Sequence, residues 1–458
     1  MRFFIWWNIK TMNILIVGNG FDLSHYLPTK YDHFMDAMQE IENKKLEKPV
    51  TDLLETPLDS IGDLIVKYFQ FKTVVNKETY EINFNQLFVN CRDSGFISKT
   101  FDFYKVENSK LTFEQIVELQ LRLAKNSWYK YFKKHVQDVK TWIDFEKKIE
   151  SALVLIFKYI NEINLKFDKY GKFEKPIKLR TKSNVEKSDG HIYMSHVDIE
   201  QLIILNFCLN NTHENNINFG GLGLINHEWF NVEKKSEYGF STEKYINYLH
   251  SELEDFIEIF NLYLKLVVDK LEPKTQFKIE SKDWVQPDHI FSFNYTNTFQ
   301  KFYQNNVKTE YLHGKFGEQQ NIVLGISDLE DESLRKLKAY GFTKYHQKLF
   351  KDTEYLFLDE CSEVKQQIRS LKHSGDDINF RIWGHSLDRS DQEYIKEIFK
   401  LNDEEDVGVR VTVYYFNDSA KFVLLNNLLD ILKKDKVEKW MKNKWLIFEP
   451  NPEINFGV

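Results

Sequence analysis

Four short apolar runs each end in glycine or a small polar residue, and this pattern restricts the fold more than any other feature of the sequence. They are NILIV at 13–17 before GNGFD, HIFSF at 289–293 before NYTNT, NFRIW at 379–383 before GHSLDRSD, and VRVTVYYF at 409–416 before NDS. Short runs with little polar interruption suit strands covered on both faces. Another short strand is expected at 321–325 (NIVLG). Helical patterns follow several runs. DRSDQEYIKEIFK opens on cap candidates and continues with Tyr394, Ile395 and Phe399, and NDSAKFVLLNNLLDILKK does the same after 416. Strand–helix alternation predicts a parallel α/β sheet. Ligands of such sheets bind beyond the carboxyl ends of the strands, so polar residues remote in sequence are expected to meet on one edge.

Between 35 and 284 helical periodicity takes over. Leu249, Leu253, Phe256, Phe260, Tyr263 and Val267 recur at steps of four and three, a one-sided stripe over 243–270. Segments 113–138 and 141–165 are also expected to be helical. The resulting plan is an N-terminal arm (1–11, or an upstream start before Met12), a sheet domain from 12–34 and 285–458, and a large, mainly helical insertion at 35–284. Two stretches in the insertion read as loops. Residues 166–187 are rich in lysine, for which a solvated loop is the simpler reading and nucleic-acid contact the minority one. Residues 218–225 (NFGGLGLI) read as a flexible turn.

Composition narrows the class. Of 458 residues, 42% are hydrophobic, enough for a core, and the net charge of −7 gives no general pull toward nucleic acid or acidic membranes. The three cysteines, Cys91, Cys208 and Cys361, are far apart and form no C-x-x-C, which argues against a disulfide framework or a cysteine zinc site and points to a reducing, cytoplasmic setting. No apolar run reaches the ~18 residues of a membrane helix. The opening MRFFIWWNIKT is too short for a signal peptide and lacks a small-residue cleavage site.

The candidate chemistry sits after the strands. Gly18, Asn19 and Gly20 make either a plain strand-to-helix turn or a loop that lets backbone amides approach phosphate. Leu23 stands where a full G-x-G-x-x-G would need glycine. Asp22 reads as a helix cap or a ribose contact. Asn294 lies just past a strand. His313, 19 residues later, precedes Gly314, and its ordinary pKa of about 6.5 suits proton transfer near neutral pH. Gly384 and Ser386 suit ribose or pyrophosphate. His385 is a second acid–base candidate or a packing residue, and Asp388 or Ser390 caps the next helix. Asp144 and Glu146 are explained as first-turn acids favoured by the helix dipole.

Together, ILIVGNGFDLSHYLPTKYDHF (14–34), WIDFEKKIE (142–150), FSFNYTNTFQ (291–300) with YLHG (311–314), and IWGHSLDRSDQEYI (382–395) resemble the AbiH family of bacterial phage abortive-infection proteins. More distantly, these blocks resemble the sirtuin-like NAD-binding fold of several defence NADases. That resemblance implies a doubly wound, sirtuin-like Rossmann domain. Gly18, Gly20 and Leu27-Pro28-Thr29 would match its phosphate loop, with Asn19, Phe21 and Asp22 inside the same turn. Asn294 and Tyr295 would match the segment beside the nicotinamide ribose, His313-Gly314 the catalytic His-Gly, and Gly384, Ser386 and Leu387 the adenosine side, next to His385 and Asp388. Asn19 and Asp22 stand where that loop has Ala and Ser, and Thr296 where the second segment has Asp. The zinc-binding cysteine module is missing, which argues against protein deacetylation.

The resulting expectation is a phage-defence effector that binds NAD or a related nucleotide and hydrolyses its nicotinamide–ribose bond, with His313 and Asn294 as catalytic residues and no metal. A nucleotide-binding sensor without turnover is the alternative. A nuclease built on Asp144, Glu146 and the basic run ranks last. The expected partners are the small-molecule nucleotide and a phage-derived trigger; self-association is left open, and neither a membrane nor nucleic acid is expected.

Overall fold

The computed structural model describes residues 11–44, 80–136, 141–170, 178–181, 191–210, 221–233, 236–303, 306–353, 357–358, 362–372, 377–404 and 408–457. A six-stranded parallel sheet organises the fold. Its strands are β1 (Met12–Val17), β2 (His289–Ser292), β3 (Thr309–Tyr311), β4 (Asp377–Trp383), β5 (Gly408–Tyr415) and β6 (Leu446–Pro450). They lie in the order β3-β2-β1-β4-β5-β6, all parallel, so strand order reverses between β1 and β4. Ile14 pairs with His289 on one side and Phe380 on the other.

Alternation of buried side chains explains why these runs are central strands. Ile14, Ile16, Phe380, Ile382, Val409, Val411 and Val413 face a core shared with the later helices. Leu15, Val17, Ile290, Trp383 and Tyr414 face the opposite one, together with Phe21 and Phe299. With both faces covered, apolar residues fill even and odd positions alike. The NIVLG segment forms no strand. Its backbone is satisfied otherwise: Val323 N–H donates to the His313 carbonyl at 2.9 Å, and the Gln347 side-chain amide brackets Leu324, accepting from its N–H at 2.9 Å and donating to its carbonyl at 3.1 Å. The strand that flanks β2 is Thr309–Tyr311 instead.

The helices used below are α1 (Asn19–Ser24), α2 (Tyr31–Asn43), α3 (Phe113–Lys125), α4 (Ser127–Lys134), α5 (Trp142–Tyr170), α6 (Thr242–Tyr263), α7 (Lys344–Phe350), α8 (Gln392–Glu404) and α9 (Asp418–Leu432). Helices α2 to α6 build a second, aromatic-rich core, which residues Ile322, Leu324, Leu329 and Phe342 also join. The region between β1 and β2 also contains strands. Lys178–Thr181, His191–Met194, Cys208–Asn210 and Gly221–Ile225 form a small mixed sheet, so the latter part of NFGGLGLI is strand and not turn. The arm 1–10, residues 218–220 and most of the basic run 166–187 lie outside the described residues, as does Cys361. Cys91 and Cys208 are free and buried. Among the described residues no helix is long and apolar enough to cross a membrane.

Where strand order reverses, two loops touch backbone to backbone. Gly18 N–H donates to the Trp383 carbonyl at 3.1 Å, and Gly20 N–H to the Gly384 carbonyl at 2.8 Å. A Cβ on Gly18 would lie 2.5 Å from His385 Cα, and one on Gly20 2.7 Å from Gly384 Cα. Gly384 has φ +74°, and its Cβ would sit 2.0 Å from the Phe21 nitrogen. Gly384→Ala is therefore expected to lose about 2–3 kcal/mol of stability. Gly95→Ala, where a Cβ meets nothing within 4 Å in the helix Ser94–Phe103, serves as the control and should be neutral or stabilising. Thermal and denaturant unfolding of the two variants checks both outcomes.

Candidate functional site

The carboxyl ends of the central strands open onto a cleft of ≈ 890 Å³. The glycine loop after β1 forms part of its floor, the 293–296 segment one wall, and Gly384, His385 and Ser386 another. Trp142 and Glu146 of α5 and Phe260 of α6 reach it from the insertion. Polar groups that follow β1, β2, β3 and β4 thus meet although they span residues 18 to 386 of the sequence. Asn19, Asp22, Thr29, Asn294, Tyr295 and His313 line the cleft, as do Gly18, Gly20, Gly384, His385 and Ser386.

Four residues singled out from the sequence do not line it. Phe21 is buried in the sheet core against Trp383, with ring centroids 4.9 Å apart. Pro28 offers only its carbonyl, which accepts from Tyr263 Oη at 2.6 Å. Gly314 packs its backbone against Asn321, where a Cβ would lie 2.0 Å from the carbonyl oxygen. Asp388 accepts from Ser390 N–H at 2.9 Å and caps the turn Arg389–Asp391, the structural role its position suggests.

The glycine turn differs from the expected phosphate loop. The N–H groups of Gly18, Gly20 and Phe21 already donate to the carbonyls of Trp383, Gly384 and Gly18. The glycines admit the neighbouring loop. The side chains that face the cleft here are Asn19, whose Oδ1 accepts from Thr29 Oγ1 at 2.7 Å, and Asp22.

Asp22 lies in the first turn of α1 but does not cap it. Its Oδ2 accepts from Thr296 Oγ1 at 2.6 Å, and its Oδ1 is buried without an aligned partner. Asn294, 4% exposed, has both side-chain polar atoms unpartnered. Buried amides and carboxylates nearly always find partners, so these atoms mark the place where a polar ligand would be held.

The deepest part of the cleft holds a charged network. His313 Nε2 lies 3.0 Å from Asp391 Oδ1, a close approach that is off the line of a hydrogen bond. His385 Nε2 lies 3.4 Å from Asp391 Oδ2. His385 Nδ1 accepts the Leu387 N–H at 3.0 Å, which places the proton of a neutral ring on Nε2, facing Asp391. Phe293 packs against both imidazoles. Lys344 Nζ, on α7, pairs with Glu146 Oε1 at 2.7 Å and lies 3.8 Å from Asp391 Oδ1. All five charged or titratable members are buried. Among the described residues no group of three or more His, Cys, Asp or Glu is placed to hold a metal ion.

A family model described as bacteriophage abortive infection AbiH matches residues 14–415. The chain belongs to the AbiH family. No curated protein and no solved structure matches it.

The sequence assigns three members of this AbiH network, Glu146, Asp391 and Lys344, no place in it. Glu146 was grouped with Asp144 as a first-turn acid. Asp144 does cap, accepting from Thr141 N–H at 3.1 Å, but Glu146 lies four residues after Trp142, and both line the cleft. That spacing was the available signal. Asp391 was passed over for Asp388, three residues earlier. Lys344 had no signal, because α7 turns its polar face inward: Lys344, Gln347 and Lys348 are buried while Tyr345, Leu349 and Phe350 are exposed.

Burial sets the protonation states. It lowers the His313 pKa to about 3 despite Asp391, so the ring is neutral at physiological pH. Beside a carboxylate the neutral ring carries its proton on Nε2, leaving Nδ1 as the basic nitrogen. Asp391 is held well below the usual carboxylate range because, against its burial, the Lys344 ammonium lies beside it, and Lys344 stays protonated between its two acids. Burial raises Glu146 to about 7, with Lys344 offsetting part of the shift. Burial raises Asp22 to about 6, with the hydrogen bond from Thr296 offsetting part of the shift.

Folded Asp22 therefore binds its proton more tightly than the unfolded chain does, and its contribution to stability falls as pH rises from about 4 to about 6. Asp22→Asn carries no such charge. Its stability relative to the parent should improve across that window by up to a few kcal/mol, at about 1.4 kcal/mol per pK unit. Unfolding midpoints of both proteins at pH 4 and pH 7 check the sign.

Proposed function

We propose that this AbiH protein acts in phage defence by binding NAD, or a closely related nucleotide, in the cleft at the strand-order reversal and cleaving its nicotinamide–ribose bond. The observation that carries this reading is the meeting of buried Asn294, both of whose side-chain polar atoms are unpartnered, and Asp22, whose Oδ1 is unpartnered, with a neutral imidazole, His313, beyond the carboxyl ends of a parallel sheet. The strand order and the place of the cleft match where open α/β sheets bind nucleotides. The likeness to the sirtuin-like NAD fold rests on the sequence blocks and this topology, and it supports the choice of NAD.

In the proposed reaction the C1′–N bond of NAD breaks and its electron pair passes to the pyridinium nitrogen, releasing neutral nicotinamide. The ribose passes through an oxocarbenium-like state. Water forms the new C1′–O bond, its proton passes to His313 Nδ1 and then to solvent, and the second product is ADP-ribose. Asn294 holds the ribose or the water, and Asp22 accepts a ribose hydroxyl. With the glycine amides engaged, the pyrophosphate rests on side chains: Asn19, Ser386 and Lys30 at the cleft edge.

Purified protein, with and without an extract of phage-infected cells as trigger, should release nicotinamide from NAD. His313→Ala should lower that rate by ~10²-fold, the low end of what general base catalysis contributes, because burial weakens this imidazole as a base, while binding persists. Asn294→Ala should weaken both turnover and binding. Saturable NAD binding by the parent protein without product would replace this reading with that of a nucleotide sensor. Intact NAD together with undiminished phage protection by His313→Ala would sink the hydrolase idea.

A further inference from the structure

We propose that Glu146 is a positioning residue for His313, acting through Lys344 and Asp391, so that the seating of the insertion helix α5 on the sheet sets the partner of the imidazole. The inference deepens the function proposed above and rests on it for the role of His313.

The geometry is a competition for one oxygen. Asp391 Oδ1 lies 3.0 Å from His313 Nε2 and 3.8 Å from Lys344 Nζ. Lys344 lies closer to Glu146, at 2.7 Å, a difference of 3.8 − 2.7 = 1.1 Å. One buried ammonium is thus shared by two buried carboxylates, and Coulomb attraction grows as distance shrinks. While Glu146 is charged it draws the ammonium away, and Asp391 Oδ1 stays with the imidazole. Without that charge the nearest acid left to Lys344 is Asp391, and the ammonium moves onto the oxygen that His313 uses. The other charged and titratable groups facing His313 are Lys348, which donates to Tyr394 Oη at 2.7 Å, and Tyr394 itself; neither contacts Asp391 Oδ1.

The three links come from three places. Glu146 belongs to the insertion, Lys344 to α7, and Asp391 to the turn before α8. Trp142 strengthens the tie, donating from Nε1 to the Thr29 carbonyl at 3.2 Å. A shift of α5 relative to the sheet therefore changes the charge around His313 along with the part of the cleft wall that Trp142 and Glu146 form. A trigger bound to the insertion has this route to the chemistry.

Glu146→Gln keeps the shape and, measured above the pH of about 7 at which Glu146 ionises, removes the charge. It should lower kcat by ~10-fold or more, a share of what acid–base catalysis contributes, with KM within about twofold. Glu146→Asp should restore part of the loss. In Glu146→Gln/Lys344→Met the competing ammonium is gone, so the double variant should lose no more than the worse single one. A second readout needs no substrate: the ring ¹⁵N shifts of His313 in labelled protein should move in Glu146→Gln and return toward the parent values in the double variant. If the parent protein cleaves no NAD, the proposed function fails alone, and the ¹⁵N shifts still decide the coupling. Unchanged His313 shifts in Glu146→Gln, an additive double variant, or a change confined to the unfolding midpoint would overturn the proposal.

Discussion

The backbone contact between the loop after β1 and the loop after β4 sets the terms for everything around it. Two N–H···O=C bonds, from Gly18 to Trp383 and from Gly20 to Gly384, bring two chain segments closer than any side chain allows. The contact continues the β1–β4 ladder past the end of the sheet and fixes where strand order reverses. It also fixes what the loops can offer. Amides of the glycine turn are engaged with carbonyls, so the polar groups that the cleft presents are the side chains of Asn19, Asp22, Asn294 and His313. The glycines shape the floor of the cleft, and polar side chains line its edges.

The sheet was legible because the physics of a covered strand is local. Runs such as NILIV and NFRIW are apolar at nearly every position, and their small or polar endings announce the carboxyl edge. The exceptions were the short edge strands. Thr309–Tyr311 has three residues and a charged middle position, and Leu446–Pro450 alternates too weakly to stand out. NIVLG misled for the opposite reason. It is apolar because it enters the insertion's core, and Gln347 supplies the hydrogen bonds that a neighbouring strand would have given.

Legibility of the site followed the same division. Asn294 and His313 sit directly beyond strands β2 and β3, where topology alone brings them to the cleft. Asp391 and Glu146 were in view as residues, but their roles depend on which way a helical turn faces. Asp388 and Asp391 differ by three positions, and one caps while the other is buried between two imidazoles. Asp144 and Glu146 differ by two, which places them on different sides of α5, one at a cap and one at an ion pair. Lys344 could not be found by the usual rule, because that rule assigns lysine to the surface.

Helix α7 inverts the ordinary logic of a helix. Its apolar side chains, Phe350 at 77% exposure among them, face outward, and its lysines and glutamine face in. Little oily surface is sequestered when it docks, so its hold on the rest of the molecule is electrostatic. Its seat is therefore sensitive to the loss of a carboxylate charge at Glu146 or Asp391. The place of Lys344 beside Asp391 rests on ion pairs and on the Gln347 hydrogen bonds more than on apolar contact.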